Sequence, residues 1–252
     1  MEFSSLGSGS KGNGTLVRYQ DCLLLIDCGF SLKETEKRLS RLGVAAEALD
    51  AVLVTHEHSD HIGGIGPLAR KYAMPVYMTS GTERSRDIGH IPQLNLIHRY
   101  ERFRVKEIDV IPVAVPHDAA EPAQYVFEAG NKRLGVLTDL GSITPHVENH
   151  YQSCDALLLE ANHDPRMLAG GAYPPTLKQR VASPWGHLSN QQAAAFLSNL
   201  DCTRLQQLVV AHISQQNNTL DLAQAEIQPR VLDVGQVHYA CQQEGFDWLS
   251  IK

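Results

Sequence analysis

Thr55-His56-Glu57-His58-Ser59-Asp60-His61 gathers three imidazoles and an aspartate at His-x-His-x-Asp-His spacing. It follows the apolar run Ala51-Val52-Leu53-Val54, so it reads as a metal site built on the end of a strand. Neutral imidazoles and carboxylates suit Zn²⁺ and also Mn²⁺ or Fe, and a set without thiolate argues against a purely structural zinc knot. Catalysis is the better reading. Four donors so close in sequence are hard to aim at one tetrahedral ion, because neighbours such as Asp60 and His61 leave the backbone in different directions. Two adjacent ions fit more naturally. Such a pair, about 3.5–4 Å apart, lowers the pKa of a bridging water toward about 7 and clamps the oxygens of a displacement reaction.

The elements that must position this loop can be traced along the chain. Thr15 to Tyr19 and Cys22 to Ile26 read as an opening antiparallel hairpin, followed by a helix that starts at the capping box Ser31-Leu32-Lys33-Glu34 and stops at Gly43. After the His-rich loop, the pattern predicts a helix over 62–72, a strand over 75–79 and a helix over 82–89. The middle reads as a β meander: 95–100, 108–115, 125–128 and 133–138. Strand 156–160, helix 191–200, strand 205–211, helix 220–227 and terminal strands 238–241 and 247–251 then follow. Hairpins combined with crossovers imply an α/β chain of mixed sheets with helices outside. No linker or sequence repeat divides it, so residues 1–252 are read as a single domain.

A formal net charge of −6 gives no global field for nucleic acid or anionic membranes, which leaves only a local basic groove. The five cysteines are scattered, with no Cys-x-x-Cys pair, as expected of reduced thiols in the cytoplasm. No apolar leader or run of about 18 apolar residues points to export or a membrane span. Gly7-Ser8-Gly9-Ser10-Lys11-Gly12 satisfies G-x-G-x-x-G, yet almost nothing precedes it and a strand follows. A dinucleotide fingerprint needs a strand before and a helix after, so a tight turn whose free N–H groups could touch a phosphate is the better reading.

His-x-His-x-Asp-His after a strand, with Asp27 closing an earlier strand, resembles the metallo-β-lactamase superfamily. The resemblance implies further ligands at later strand ends, and His117, Asp139 and His212 each follow an apolar run in the right order. It implies that His56, His58 and His117 hold one metal and Asp60, His61 and His212 the other, with Asp139 bridging and Asp27 orienting the loop. His187 competes with His212 for the last position. The segments Ser8 to Asn13, Leu158 to Asp164, Gly186 to Asn190 and His212 to Asn218 are similar to the compact bacterial WalJ (YycJ-like) branch. That similarity implies a four-layer αββα sandwich and a two-metal hydrolase with Zn or Mn (Fe as a third option), acting on DNA as a 5′-to-3′ exonuclease through a hydroxide between the ions. Gly186-His187-Leu188-Ser189 resembles the histidine motif of phosphodiesterase branches, in which the imidazole contacts phosphate or protonates the leaving oxygen. With Asp60, His187 is therefore the expected catalytic residue. Roughly seventy residues separate Asp139 from His212, too few for a β-CASP cap. Arg84, Arg86, Lys178 and Arg180 are candidates for guiding a nucleic-acid backbone. Two rivals stand beside this reading. The same hydroxide would attack a lactone, small ester or thioester, and a metal-bearing binding protein would turn nothing over.

Overall fold

The computed structural model describes residues 1–232 and 234–252. Its first sheet contains β1 (Glu2–Gly7), β2 (Gly14–Tyr19), β3 (Cys22–Ile26), β4 (Ala51–Leu53), β5 (Pro75–Thr79) and β6 (Gln93–Ile97). The second holds β7 (Phe103–Val105), β8 (Ile108–Ala114), β9 (Ala123–Ala129), β10 (Lys132–Leu137), β11 (Ala156–Glu160), β12 (Gln207–Ala211) and β13 (Gln236–Tyr239). The last strand, β14 (Phe246–Ser250), returns to the first sheet and gives it the order β14-β1-β2-β3-β4-β5-β6; the second runs β13-β12-β11-β10-β9-β8-β7.

Each sheet is antiparallel in its hairpin half and parallel where helical crossovers connect its strands, at β3-β4-β5-β6 and β10-β11-β12-β13. Parallel strands bury both faces, which is why Cys22–Ile26 and Ala156–Glu160 are buried at every position. One face of each sheet packs in a shared core containing Leu24, Leu53, Tyr125, Phe127, Leu158 and Val209. Outside the first sheet lie α1 (Leu32–Arg41), α2 (Ser59–Ile62), α3 (Ile65–Tyr72) and α4 (Ser80–Ser85); α5 (Pro145–His150), α6 (Pro165–Gly170), α7 (Pro175–Val181), α8 (Asn190–Asn199) and α9 (Leu220–Ile227) belong to the second half. This is the expected four-layer αββα sandwich.

Several local expectations change. A strand, β1, does precede the glycine turn, but β2 rather than a helix follows, so the rejection of a dinucleotide site stands on the second reason alone. The helix expected over 62–72 is broken at Gly63-Gly64, where a Cβ on Gly64 would lie 2.0 Å from the Phe30 carbonyl oxygen. The strand expected over 95–100 pairs with β5 in the first sheet, so it is not part of the meander. Only half of the first capping box forms: Ser31 caps Glu34 N–H, while the Glu34 carboxylate turns to Arg38 at 2.8 Å. The full reciprocal box is Ser189 with Gln192, at the start of α8. The short helices α5, α6 and α7, 6 to 7 residues each, were not anticipated; they carry too few turns for a periodic signal.

Candidate metal centre

Three strands end on a residue in the left-handed region: Asp27 after β3 (φ 60°), Asp139 after β10 (φ 54°) and His212 after β12 (φ 53°). Non-glycine residues rarely adopt this conformation, and each of these breaks its strand there and aims its side chain away from the sheet's alternation. Asp27 then becomes the hub of the His-rich loop. Its carboxylate accepts from Thr55 N–H, from the Thr55 hydroxyl and from His61 Nδ1, all at 2.8 Å. His61 is thereby fixed with Nε2 turned into the cluster, 3.3 Å from Asp139 Oδ2 and 3.6 Å from Asp60 Oδ2.

The other histidines close a second triangle. His58 Nδ1 lies 3.0 Å from His56 Nε2 and 3.3 Å from His117 Nε2, while His117 Nδ1 donates to the Gly186 carbonyl at 3.0 Å. That second bond fixes the tautomer that leaves Nε2 as a ligand atom. His212 Nε2 stands 3.5 Å from Asp139 Oδ1, and Asp139 also groups with His56 of this triangle and with His61. All seven expected ligands, with Asp27 and His187, are brought to one place. One ligand atom from each of His56, His58 and His117 falls within 4.8 Å of the other two, and the same holds for Asp60, His61 and His212 and for His56, His61 and Asp139.

Burial and neighbouring charges pull the donors in opposite directions. Burial keeps His56 well below the ordinary imidazole value and takes His117 down to about 4. Burial also opposes the charge on His61 and His212, but neighbouring carboxylates outweigh it: Asp139, Asp27 and Asp60 hold His61 well above its usual value, and Asp139 with Glu160 brings His212 to about 9. Asp139 is held well below the ordinary carboxylate range; burial works against this, and His212 and His61 overcome it. Even so, buried Asp139 Oδ2 and His212 Nε2 have no hydrogen-bond partner among the described residues. Two unpaired polar atoms in a buried site are costly, and divalent cations between imidazoles and carboxylates would satisfy both. The donor set fits such ions.

Glu160 is the residue that sequence reasoning undervalued, because a strand-end glutamate also suits an ordinary turn. It is fully buried and accepts from Asp139 N–H (2.9 Å) and Leu188 N–H (2.7 Å), with His187 Nδ1 at 3.1 Å and His212 Nδ1 at 3.2 Å. Burial raises its pKa, but His187 and His212 bring it down to about 2. The same carboxylate raises His187 against the lowering effect of burial and occupies its Nδ1, leaving Nε2 as the free nitrogen of a residue that lines the cleft. That cleft, about 570 Å³, also exposes His58, Asp60, Tyr173, Arg180 and Arg86.

The glycine turn has a different role from the one expected. The N–H groups of Ser8, Gly9, Lys11 and Gly12 are all bonded within the protein, so the turn forms no nest of several free N–H groups, and Ser10 is its residue that lines the cleft. Ser8 Oγ instead accepts from His212 N–H at 2.9 Å, and Asn13 binds the Asp60 carbonyl through its N–H (2.8 Å) with its amide 3.0 Å from His61 Nε2. Gly29 is required here, since a Cβ would sit 1.8 Å from the Asp60 carbonyl oxygen. Of the basic candidates, Arg180 pairs with Asp118, Lys178 donates to the Ala169 carbonyl, and Arg84 and Arg86 stand at the end of α4. Asn218 ties Ala161, Asn162 and Asn190 together, a structural role, and His90, His98, His146, His150 and His238 join none of the metal-competent groups.

The model of the beta-lactamase superfamily domain matches residues 23–213, spanning every one of these positions from Asp27 to His212. The chain belongs to the beta-lactamase superfamily. Among its relatives, it is 36% identical over 231 residues to the exodeoxyribonuclease YycJ of Bacillus anthracis, covering 90% of this chain and 88% of the relative. It is 37% identical over 229 residues to the exodeoxyribonuclease WalJ of Streptococcus pneumoniae D39, covering 88% and 85%. Among solved structures, the metallo-β-lactamase fold protein YhfI of Bacillus subtilis superposes with a TM-score of 0.74 at 19% identity over 99% of both chains. The short form of human tRNase Z does so at 0.70 and 18%, over 100% of both. These structures share the fold.

Proposed function

We propose that the chain is a two-metal phosphodiesterase that degrades DNA as a 5′-to-3′ exodeoxyribonuclease. The observation that carries this reading is a complete double donor set with a cleft-lining imidazole, His187, held in place by Glu160. The names of the relatives with 36% and 37% identity agree with it. In this reading His56, His58 and His117 hold one cation and Asp60, His61 and His212 the other, Asp139 is shared, and Asp27 orients His61 and Thr55. Zn or Mn suits these nitrogen and oxygen donors, Fe less distinctively. Such a pair supplies a nucleophile at neutral pH and neutralises charge that develops on phosphate oxygens.

The side chains account for the remaining steps. Asp60 faces the cleft and orients the attacking group while completing its ligand set. Burial works against a charge on His187, but Glu160 and Asp139 outweigh it and favour the protonated form, from which Nε2 would donate to a non-bridging oxygen or to the departing oxygen. Arg86, which also lines the cleft, would offer a phosphate a fixed charge. We place residues 1–252 in one domain without a β-CASP insertion. The cytoplasm, where DNA and reduced thiols coexist, is the proposed compartment; among the described residues no helix is long and apolar enough to cross a membrane.

Purified protein loaded with Mn²⁺ or Zn²⁺ is expected to shorten 5′-phosphorylated duplex DNA from its 5′ end, with Asp60→Ala inactive. Vigorous lactone or thioester turnover without phosphodiesterase activity would contradict the reading. So would tight DNA binding with no cleavage in any metal.

A further inference from the structure

The cleft over the histidines continues past its own wall. Arg86 lines both this cleft and a second one of about 460 Å³, formed by the end of α4, residues 87–91 and β6. Its guanidinium reaches only the Glu57 carbonyl, at 3.4 Å, and joins no ion pair among the described residues. Arg84, in the same second cleft, is likewise without a carboxylate partner and touches Ser80 Oγ at 3.1 Å. The apolar part of this cleft is Ile88, Ile91 and Leu94, the last 37% exposed, over the buried Met78.

This floor is braced. Arg70 Nη1 donates to the carbonyls of Ile88 (3.0 Å) and His90 (3.1 Å), and Gly89 takes the turn with φ 76°. The Asp87 carboxylate accepts from Gly89 N–H at 2.8 Å through one oxygen, and with Glu83 it is one of two acids in the walls, neither of them paired with Arg84 or Arg86. Unpaired guanidinium groups beside an apolar floor complement one polymer chemistry in particular: a nucleic-acid strand, with phosphates on the cations and base faces on the floor. A duplex hides those faces. A single strand exposes them.

Resting on the phosphodiesterase reading above, we infer that the second cleft is the track for the retained strand. Single-stranded DNA, or a duplex end frayed by a few nucleotides, leaves the metal centre past Arg86, sets its next phosphates against Arg84 and lays its bases on Ile91 and Leu94. The enzyme therefore gains from substrate length beyond the scissile bond.

Two readouts test this. For 5′-phosphorylated single strands of two and ten nucleotides, the wild type should favour the longer by about ten-fold in kcat/KM, within the range expected for one or two bases seated on a protein surface. Arg84→Ala and Leu94→Asp, both changes of exposed side chains, should each bring that ratio near one. Fluorescence anisotropy of a labelled ten-nucleotide strand on metal-free Asp60→Ala protein gives binding without cleavage. Adding Arg84→Ala there should weaken binding several-fold and reduce the slope of log affinity against log salt by about 0.7, one phosphate contact. A wild-type length ratio in both variants, with DNA still cut, would overturn the track. Failure of the wild type to cut DNA of any length would refute the phosphodiesterase reading, and unchanged binding on adding Arg84→Ala would then refute the track independently.

Discussion

Glu160 shows how much of the proposed metal centre rests on a residue outside the seven expected ligands, although with Asp139, His187 and His212 it forms a further group able to hold a cation. It aligns His187 and His212 and takes two main-chain N–H groups, so Glu160→Gln replaces an acceptor with an amide donor facing Asp139 N–H or Leu188 N–H. Metal affinity or activity should fall about 10- to 100-fold with the fold retained, measured by metal titration and circular dichroism. Asp27→Asn should likewise weaken the set containing His61, whose Nδ1 would lose its charged acceptor. Protons give a separate test. Neighbouring carboxylates favour a bound proton on His61 and bring His212 to about 9, whereas burial disfavours one on His56 and takes His117 down to about 4. Loading the set with Asp60, His61 and His212 must displace protons, and the His212 contribution is lost as the pH rises through about 9. In weakly buffered solution at pH 7.5, wild-type protein should release more protons per ion than Asp60→Ala; equal release would contradict the assignment. The ligands themselves were legible because their types and spacing are chemically unusual. Glu160, Asn13 and Ser8 were not, since ordinary turns use the same residues.

The elements explain why those side chains converge. Strands β3, β10 and β12 are each followed within two residues by a left-handed residue, and the loop after β4 is pressed against the Cys28–Phe30 backbone at Gly29 and Gly64. Gly29→Ala is expected to displace Asp60 and His61, because its Cβ would overlap the Asp60 carbonyl. It should destabilise the fold by several kcal/mol, since backbone must move where an overpacked side chain would cost only about 1–3 kcal/mol. Thermal unfolding and metal content should fall together; a normal melting temperature with full metal would show that the loop has slack. Strands with continuous apolar runs and the helix over 220–227 were readable from pattern. The break at Gly63-Gly64 and the helices α5 to α7 were not, because their causes are close backbone approach and short length.

Across the whole molecule, the two sheets repeat one plan: three antiparallel pairings followed by three parallel ones. Asp27 and Asp139 occupy equivalent places in it, each in the left-handed turn after the last antiparallel strand. No sequence repeat announces this, since buried strands accept many apolar sequences of similar volume. With a net charge of −6 and few unpaired cations at the cleft, DNA affinity should change by about ten-fold or less between 50 and 200 mM salt, against the 10³–10⁵ expected for six to ten phosphate contacts. A steep salt dependence would show a basic surface elsewhere. The central claim is that the hexad serves two ions rather than one. Equilibrium dialysis against Mn²⁺ or Zn²⁺ followed by elemental analysis tests it most directly: two ions per wild-type chain and close to one per Asp60→Ala chain are predicted, and one ion in the wild type, or two in the variant, would contradict it.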